Sequence, residues 1–246
     1  MKIEASIMER FVEILNSDES LLNPLLNRHQ VYRDMVYHRF FETITSIYPI
    51  LTSRFGDQMH ELIRAFQSRG AVSVLMSDMA YEFGEFLKEY PIEESLPYLE
   101  DLLWLEWGEA ELAMSCFDGV KASFEWKKSY RLSPSARIRV LKYPVYYGDF
   151  ETLGEYPLAL YYHFGEDRVY FEEMTPFAYD LLGLLGQSDL QTAVEEIARR
   201  YEVDVEDIKE PIEELLGGWC EKNILTDTAQ YSFVPSSSDL IWGSIG

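Results

Sequence analysis

The chain has 246 residues, is 47% hydrophobic and 15% aromatic, and carries a formal net charge of −22 at pH 7. That apolar content suffices for one large core or two modest ones. The charge, spread over both halves, excludes long-range attraction to nucleic-acid phosphate. No apolar run reaches the ~18 residues of a membrane span. The start "MKIEASIMERFVEIL" is acidic and amphipathic rather than basic and then apolar, which predicts a cytoplasmic protein without a secretory leader.

Residues 1–130 read as an all-helical domain. Ile7, Phe11, Ile14 and Leu15 share one face of a first helix. "VYRDMVYHRFFETITSIYPIL" keeps helical spacing until Pro49, and "HELIRAFQSRG" is a short helix ending at Gly70. "SDMAYEFGEFLKEYP" opens with Ser77 or Asp78 as a cap and stops before Pro91. In "LPYLEDLLWLEWGEAELAMSCF", Leu99, Leu102, Leu103, Leu105 and Trp107 nearly encircle the helix, which predicts burial on more than one side. Cys116 and Cys220 lie far apart in apolar context and read as two buried thiols.

Near residue 130 the helical period is lost. Residues 131–158 read as a linker with a first strand, Ile138–Leu141, and 131–142 carry Arg131, Arg137, Arg139 and Lys142 without an acid. These are surface charges at a domain junction or a patch for an acidic protein. A hairpin follows, Ala159–Phe164 and Arg168–Glu172 about the turn Gly165-Glu166-Asp167. Thr175 caps a helix with Pro176 at its first position, "DLQTAVEEIARRYEV" is a second helix, and Asp204 caps a third. Pro211 should bend or split that third helix. Residues 159–230 thus form a winged-helix-like domain, three strands and three helices, and 231–246 a tail that docks or stays disordered. The fold class is α+β.

A winged helix suggests DNA, but its third helix carries Glu206, Asp207, Glu210, Glu213 and Glu214 against Lys209 and Lys222. Each close like-charge contact costs about 1–4 kcal/mol, and several outweigh the ~1–3 kcal/mol of a good base contact. A DNA-binding regulator is therefore the second reading. The strand Arg168–Glu172 suits an extended peptide, which would use its backbone edge. Arg168, Val169, Tyr170, Phe171 and Glu172 would supply that edge, and Ile212, Leu215, Leu216 and Trp219 the wall beside it. For any one apolar residue of this set, the domain core is the commoner destination. The four histidines show no metal-ligand spacing, and no nucleophile–base signature or phosphate loop is present. The acids Glu100, Asp101, Glu106, Glu109 and Glu111 lack the Glu-x-x-His pairs of a di-iron bundle.

The segments "VYRDMVYHRFFETITSIYPILTSRFG", "YEFGEFLKEYP" and "LPYLEDLLWLEWGEAELA", with "LSPSARIRVLKYPV" after them, resemble the HvfC-like family, which has carried a DNA-binding label. From Ala159 to about Leu225 the chain is similar to the peptide chaperone of pyrroloquinoline quinone biosynthesis, a RiPP recognition element. The resemblance implies a non-catalytic subunit that binds the leader of a ribosomally made precursor peptide. It implies as partner, in a heterodimer, a multinuclear non-haem iron-dependent oxidative enzyme (MNIO). The iron would belong to the partner, with no cofactor in this chain and no nucleic acid or membrane as ligand. The leader would add as a strand between Arg168–Glu172 and the third helix, about Val205–Glu221. The helical domain, with Arg131, Arg137, Arg139, Lys142 and Tyr146, would meet the enzyme.

Overall fold

A computed structural model describes residues 26–70, 76–92, 96–117 and 122–227. The expected first helix and the tail 231–246 lie outside the described residues. The described residues form two compact units: one reaches to Glu111 and takes in Lys142–Gly154, the other comprises Leu112–Leu141 and the described residues from Glu155.

The first unit is helical. Helix α1 spans Leu26–Ile47, α2 Pro49–Phe55, α3 Gln58–Ser68, α4 Met76–Glu89 and α5 Leu99–Met114. In α3, Met59, Leu62, Ile63 and Phe66 are buried at the i, i+3, i+4, i+7 spacing of an amphipathic helix. Phe66 meets Phe83 and Phe86 of α4, edge-on to Phe83 at 5.4 Å. Tyr48 closes this core by donating from its buried hydroxyl to Ala80 O at 2.9 Å. Gly84 is required there, because a Cβ would lie 2.9 Å from that hydroxyl.

Two acids on α5 hold backbone rather than metal. Glu106, 4% exposed, accepts from the amides of Ile50 (2.5 Å) and Leu51 (3.1 Å). Those N–H groups open α2, where Pro49 stands at the first turn and helical geometry supplies no acceptor. Asp101, also buried, accepts from Lys142 N (2.7 Å) and Tyr143 N (3.0 Å). It thereby anchors the segment Lys142–Gly154, which Gly154 closes by donating to Lys142 O at 2.8 Å. The expected burial of α5 on several sides is observed: Asp101 to Leu103, Leu105, Glu106 and Gly108 are all buried.

The second unit holds β1 (Tyr130–Leu132), β2 (Ala136–Leu141), β3 (Tyr156–His163), β4 (Arg168–Glu173), α6 (Pro176–Leu185), α7 (Leu190–Arg200), α8 (Val205–Glu221) and β5 (Leu225–Asp227). Strands β2-β3-β4 form an antiparallel sheet in that order, and β1 pairs antiparallel with β5. Thr175, Asp189 and Asp204 cap the three helices, accepting from Ala178, Thr192 and Glu206 amides. Leu181, Leu182, Leu185, Val194, Ile197, Ile212, Leu216 and Trp219 pack with Ala136, Ala159 and Tyr161 of the sheet into one core. Asn223, at φ 61°, ends α8 in a left-handed turn: Ile224 N donates to Trp219 O (2.9 Å) and Asn223 N to Cys220 O (3.2 Å). That turn sends the chain into β5.

Several expectations are corrected. Cys116 is exposed, because α5 stops at Met114; only Cys220 is buried, and burial pushes its thiol up to about 11. Helix α4 starts at Met76, so Ser77 and Asp78 lie inside its first turn rather than at the cap. Residues 131–158, expected to carry one strand, contain most of β1, all of β2, a 3-10 turn (Val145–Tyr147) and the start of β3. Pro211 does not split α8. The carbonyl it orphans belongs to Asp207, an exposed residue open to water, and the buried stripe Ile212, Leu216 and Trp219 begins immediately after it.

Burial pushes the Glu106 carboxyl up from its ordinary 4.5 to about 7, against the two amide donors, and nearby Glu109 adds to the rise. The folded protein then holds a proton that the unfolded chain has lost between these values. This contribution to stability is complete below the lower value and lost as pH rises through about 7. Glu106→Gln keeps an acceptor and cannot ionise. Its urea stability is expected to change less than that of the natural chain between about pH 5 and about pH 8, by up to about 3 kcal/mol. Equal pH slopes would contradict this role.

Candidate functional site

The hairpin β3–β4 is fixed by its turn. Glu166 N and Asp167 N both donate to His163 O, at 3.1 and 2.9 Å, with Asp167 at φ 53°. Two phenols brace it: Tyr162 donates to the Asp167 carboxylate and Tyr170 to that of Glu166. The register pairs Tyr161 with Tyr170 and Ala159 with Glu172. Met174 N donates to Pro157 O at 2.9 Å, so the residues that exchange hydrogen bonds with β3 are Arg168, Tyr170, Glu172 and Met174. The amides and carbonyls of Val169, Phe171 and Glu173 point the other way. Among the described residues β4 pairs with β3 alone and ends the sheet.

Strand periodicity also divides the side chains. Tyr170 packs toward the helical core and stacks on Tyr161 at 6.0 Å, and Glu172 shares its face. Val169 and Phe171 lie on the opposite face, with Phe171 48% exposed. Arg168 is exposed at the start of the strand.

One ion pair links the end of helix α8 to β4. Lys222, at the helix end, donates to the Glu172 carboxylate. Residues one and two turns before Lys222 on the same flank are Gly218 and Leu215. Leu215 is half-buried. A Cβ added to Gly218 would meet no atom within 4 Å. The opposite flank is taken up differently: Glu213 accepts from Trp126 Nε1 at 2.9 Å, and Lys209 lies 5.9 Å from the Trp126 ring.

The expected wall therefore separates. Ile212 (0% exposed), Leu216 (0%) and Trp219 (2%) belong to the core and present no surface to a ligand; they fix α8 from behind. Leu215 remains at the flank that faces β4. The sequence reading missed Gly218 and the Glu172–Lys222 pair. The signal for the pair was two opposite charges, one on the strand and one at the helix end, with no spacing rule connecting them.

The basic run is shared between the two units. Arg131 lies in β1 opposite Thr226. Arg137 and Arg139 share a face of β2, and Arg137 Nη1 donates to Pro134 O (2.7 Å) and Ala136 O (3.0 Å). Lys142 and Tyr146 belong to the other unit, where Lys142 is exposed and Tyr146 packs against Tyr147 at 4.6 Å. Among the described residues, no three His, Cys, Asp or Glu side chains converge as metal ligands would.

The sequence profile of the family described as coenzyme PQQ synthesis protein D (PqqD) matches residues 166–225. The matched segment opens in the hairpin turn and runs through β4, α6, α7 and α8 to the first residue of β5. Residues 166–225 are thus PqqD-like, a likeness that covers about a quarter of the chain. No curated protein matches the chain. No described helix is long and apolar enough to cross a membrane.

The division of α8 has a direct test. Leu216→Ala is expected to cost about 2–5 kcal/mol of stability, as for a fully buried leucine, and Leu215→Ala under about 1 kcal/mol. Chemical denaturation followed by circular dichroism measures both. Similar losses would place Leu215 in the core as well.

Proposed function

We propose that this chain is a non-catalytic recognition subunit that binds the leader of a ribosomally made precursor peptide at the outer edge of β4. The observation that carries this reading is the terminal strand itself, with the Val169, Phe171 and Glu173 backbone turned away from β3, inside the segment similar to PqqD. A strand edge recognises a polypeptide through main-chain hydrogen bonds and needs no cationic side chains. That suits a protein of net charge −22. The same charge, with the acids exposed on α8, opposes the rival reading as a DNA-binding regulator.

The resemblance to the HvfC-like family extends the proposal to the partner, a multinuclear non-haem iron oxidative enzyme (MNIO) that modifies the core peptide. The helical unit meets that enzyme in a heterodimer, with Lys142 and Tyr146 as contacts there and Arg131, Arg137 and Arg139 as contacts on the second unit. Tethering the leader then holds the core peptide near the enzyme's iron at an effective concentration of millimolar order.

Val169→Pro removes one outward N–H and leaves the β3–β4 ladder intact. Loss of that donor, with the clash of the ring, should weaken leader binding about tenfold or more. Enzyme association in co-purification should be unchanged. Leader affinity unaffected by the substitution would count against the edge. Tight, salt-sensitive binding of promoter DNA in a gel shift would favour the regulator instead.

A further inference from the structure

Resting on the peptide-edge reading, we infer that the guest of β4 is a cationic extended peptide whose backbone crosses α8 at Gly218. Three independent features converge on this. First, the Glu172–Lys222 pair identifies the flank of α8 that looks toward β4, and Gly218 lies one turn before Lys222 on it. Second, the space at Gly218 is open: a Cβ there would touch nothing within 4 Å, so packing within the described structure does not require the glycine. A glycine inside a helix disfavours it relative to alanine. Its benefit is a helix surface without a side chain, where another backbone can approach closely. Gly217 supplies the contrast. It too has open space around it, but it lies one turn beyond Glu213, on the flank that Trp126 marks.

Third, the charges around the groove are unbalanced. On the hairpin, Glu172 shares the Tyr170 face and Glu166 is bonded to Tyr170, and exposed Asp207 and Glu214 border the Gly218 flank. Against these stand Arg168 and Lys222, and Lys222 is already bonded to Glu172. The other lysine of α8, Lys209, is turned to Trp126. A strand laid along β4 points alternate side chains toward the helix, into this field. Lys or Arg at every second position meets it with opposite charge, and an acidic strand meets it with like charge.

The test pans an unbiased library of displayed peptides on the full-length protein at about physiological ionic strength, then measures the enriched peptides against variants. The expected result is enrichment of Lys or Arg at alternate positions. Affinity should fall more than about tenfold for Gly218→Leu and stay unchanged for Gly217→Leu. Neither substitution should lower the melting temperature. Gly218→Ala, which adds one methyl, should give an intermediate loss if Leu proves too large for the fold. Enriched peptides that lose binding to Val169→Pro but bind Gly218→Leu normally would overturn this inference and leave the edge reading intact. Neutral or acidic peptides enriched at the same edge would also overturn it. Absence of any peptide that depends on Val169 would overturn the edge reading itself, and this inference with it.

Discussion

An antiparallel strand with one neighbour turns half of its backbone hydrogen-bonding groups away from that neighbour. In β4 those groups belong to Val169, Phe171 and Glu173, and the functional account depends on them. The rest of the second unit keeps the strand where it is. The register to β3 fixes which amides point outward, and the Tyr162–Asp167 and Tyr170–Glu166 hydrogen bonds brace the turn that sets the register. The core stripe of α8 holds a helix alongside. A one-residue slip between β3 and β4 would exchange the inner and outer sets and reverse every side chain.

Charge decides what kind of partner such an edge can serve. Cationic side chains give nucleic-acid binders most of their affinity. Here the third helix presents exposed carboxylates, and its two lysines are engaged with Trp126 and Glu172. Main-chain hydrogen bonds are indifferent to this field, whereas a phosphate backbone is not. The acids buried in the first unit answer a different need. Glu106 and Asp101 satisfy amides that helix and loop geometry leave without acceptors, which accounts for two buried acids among the leucines of α5.

Much of this was legible in the sequence because it is local. The caps Thr175 and Asp204 precede runs at helical spacing, and the hairpin announces itself by a Gly-Glu-Asp turn between Tyr-rich segments. What sequence could not give depends on pairing at a distance. Strand β1 finds β5 nearly a hundred residues later, so nothing local marks its three residues as a strand. The exposure of Cys116 follows from where α5 ends. Pro211 breaks a local rule that buried contacts override. For the candidate site, the strand was legible and the wall was not. Ile212, Leu215, Leu216 and Trp219 all read as apolar positions of one helix, and only the structure separates the half-buried Leu215 from three core residues.

Amide hydrogen exchange on the full-length protein, with and without the proposed leader peptide, tests the central claim most directly. The account predicts that the Val169 and Glu173 amides, which point away from β3, gain protection when the leader binds, while Tyr170 and Glu172, already bonded to β3, change little. Leader binding that leaves Val169 and Glu173 exchanging at their original rates would contradict it.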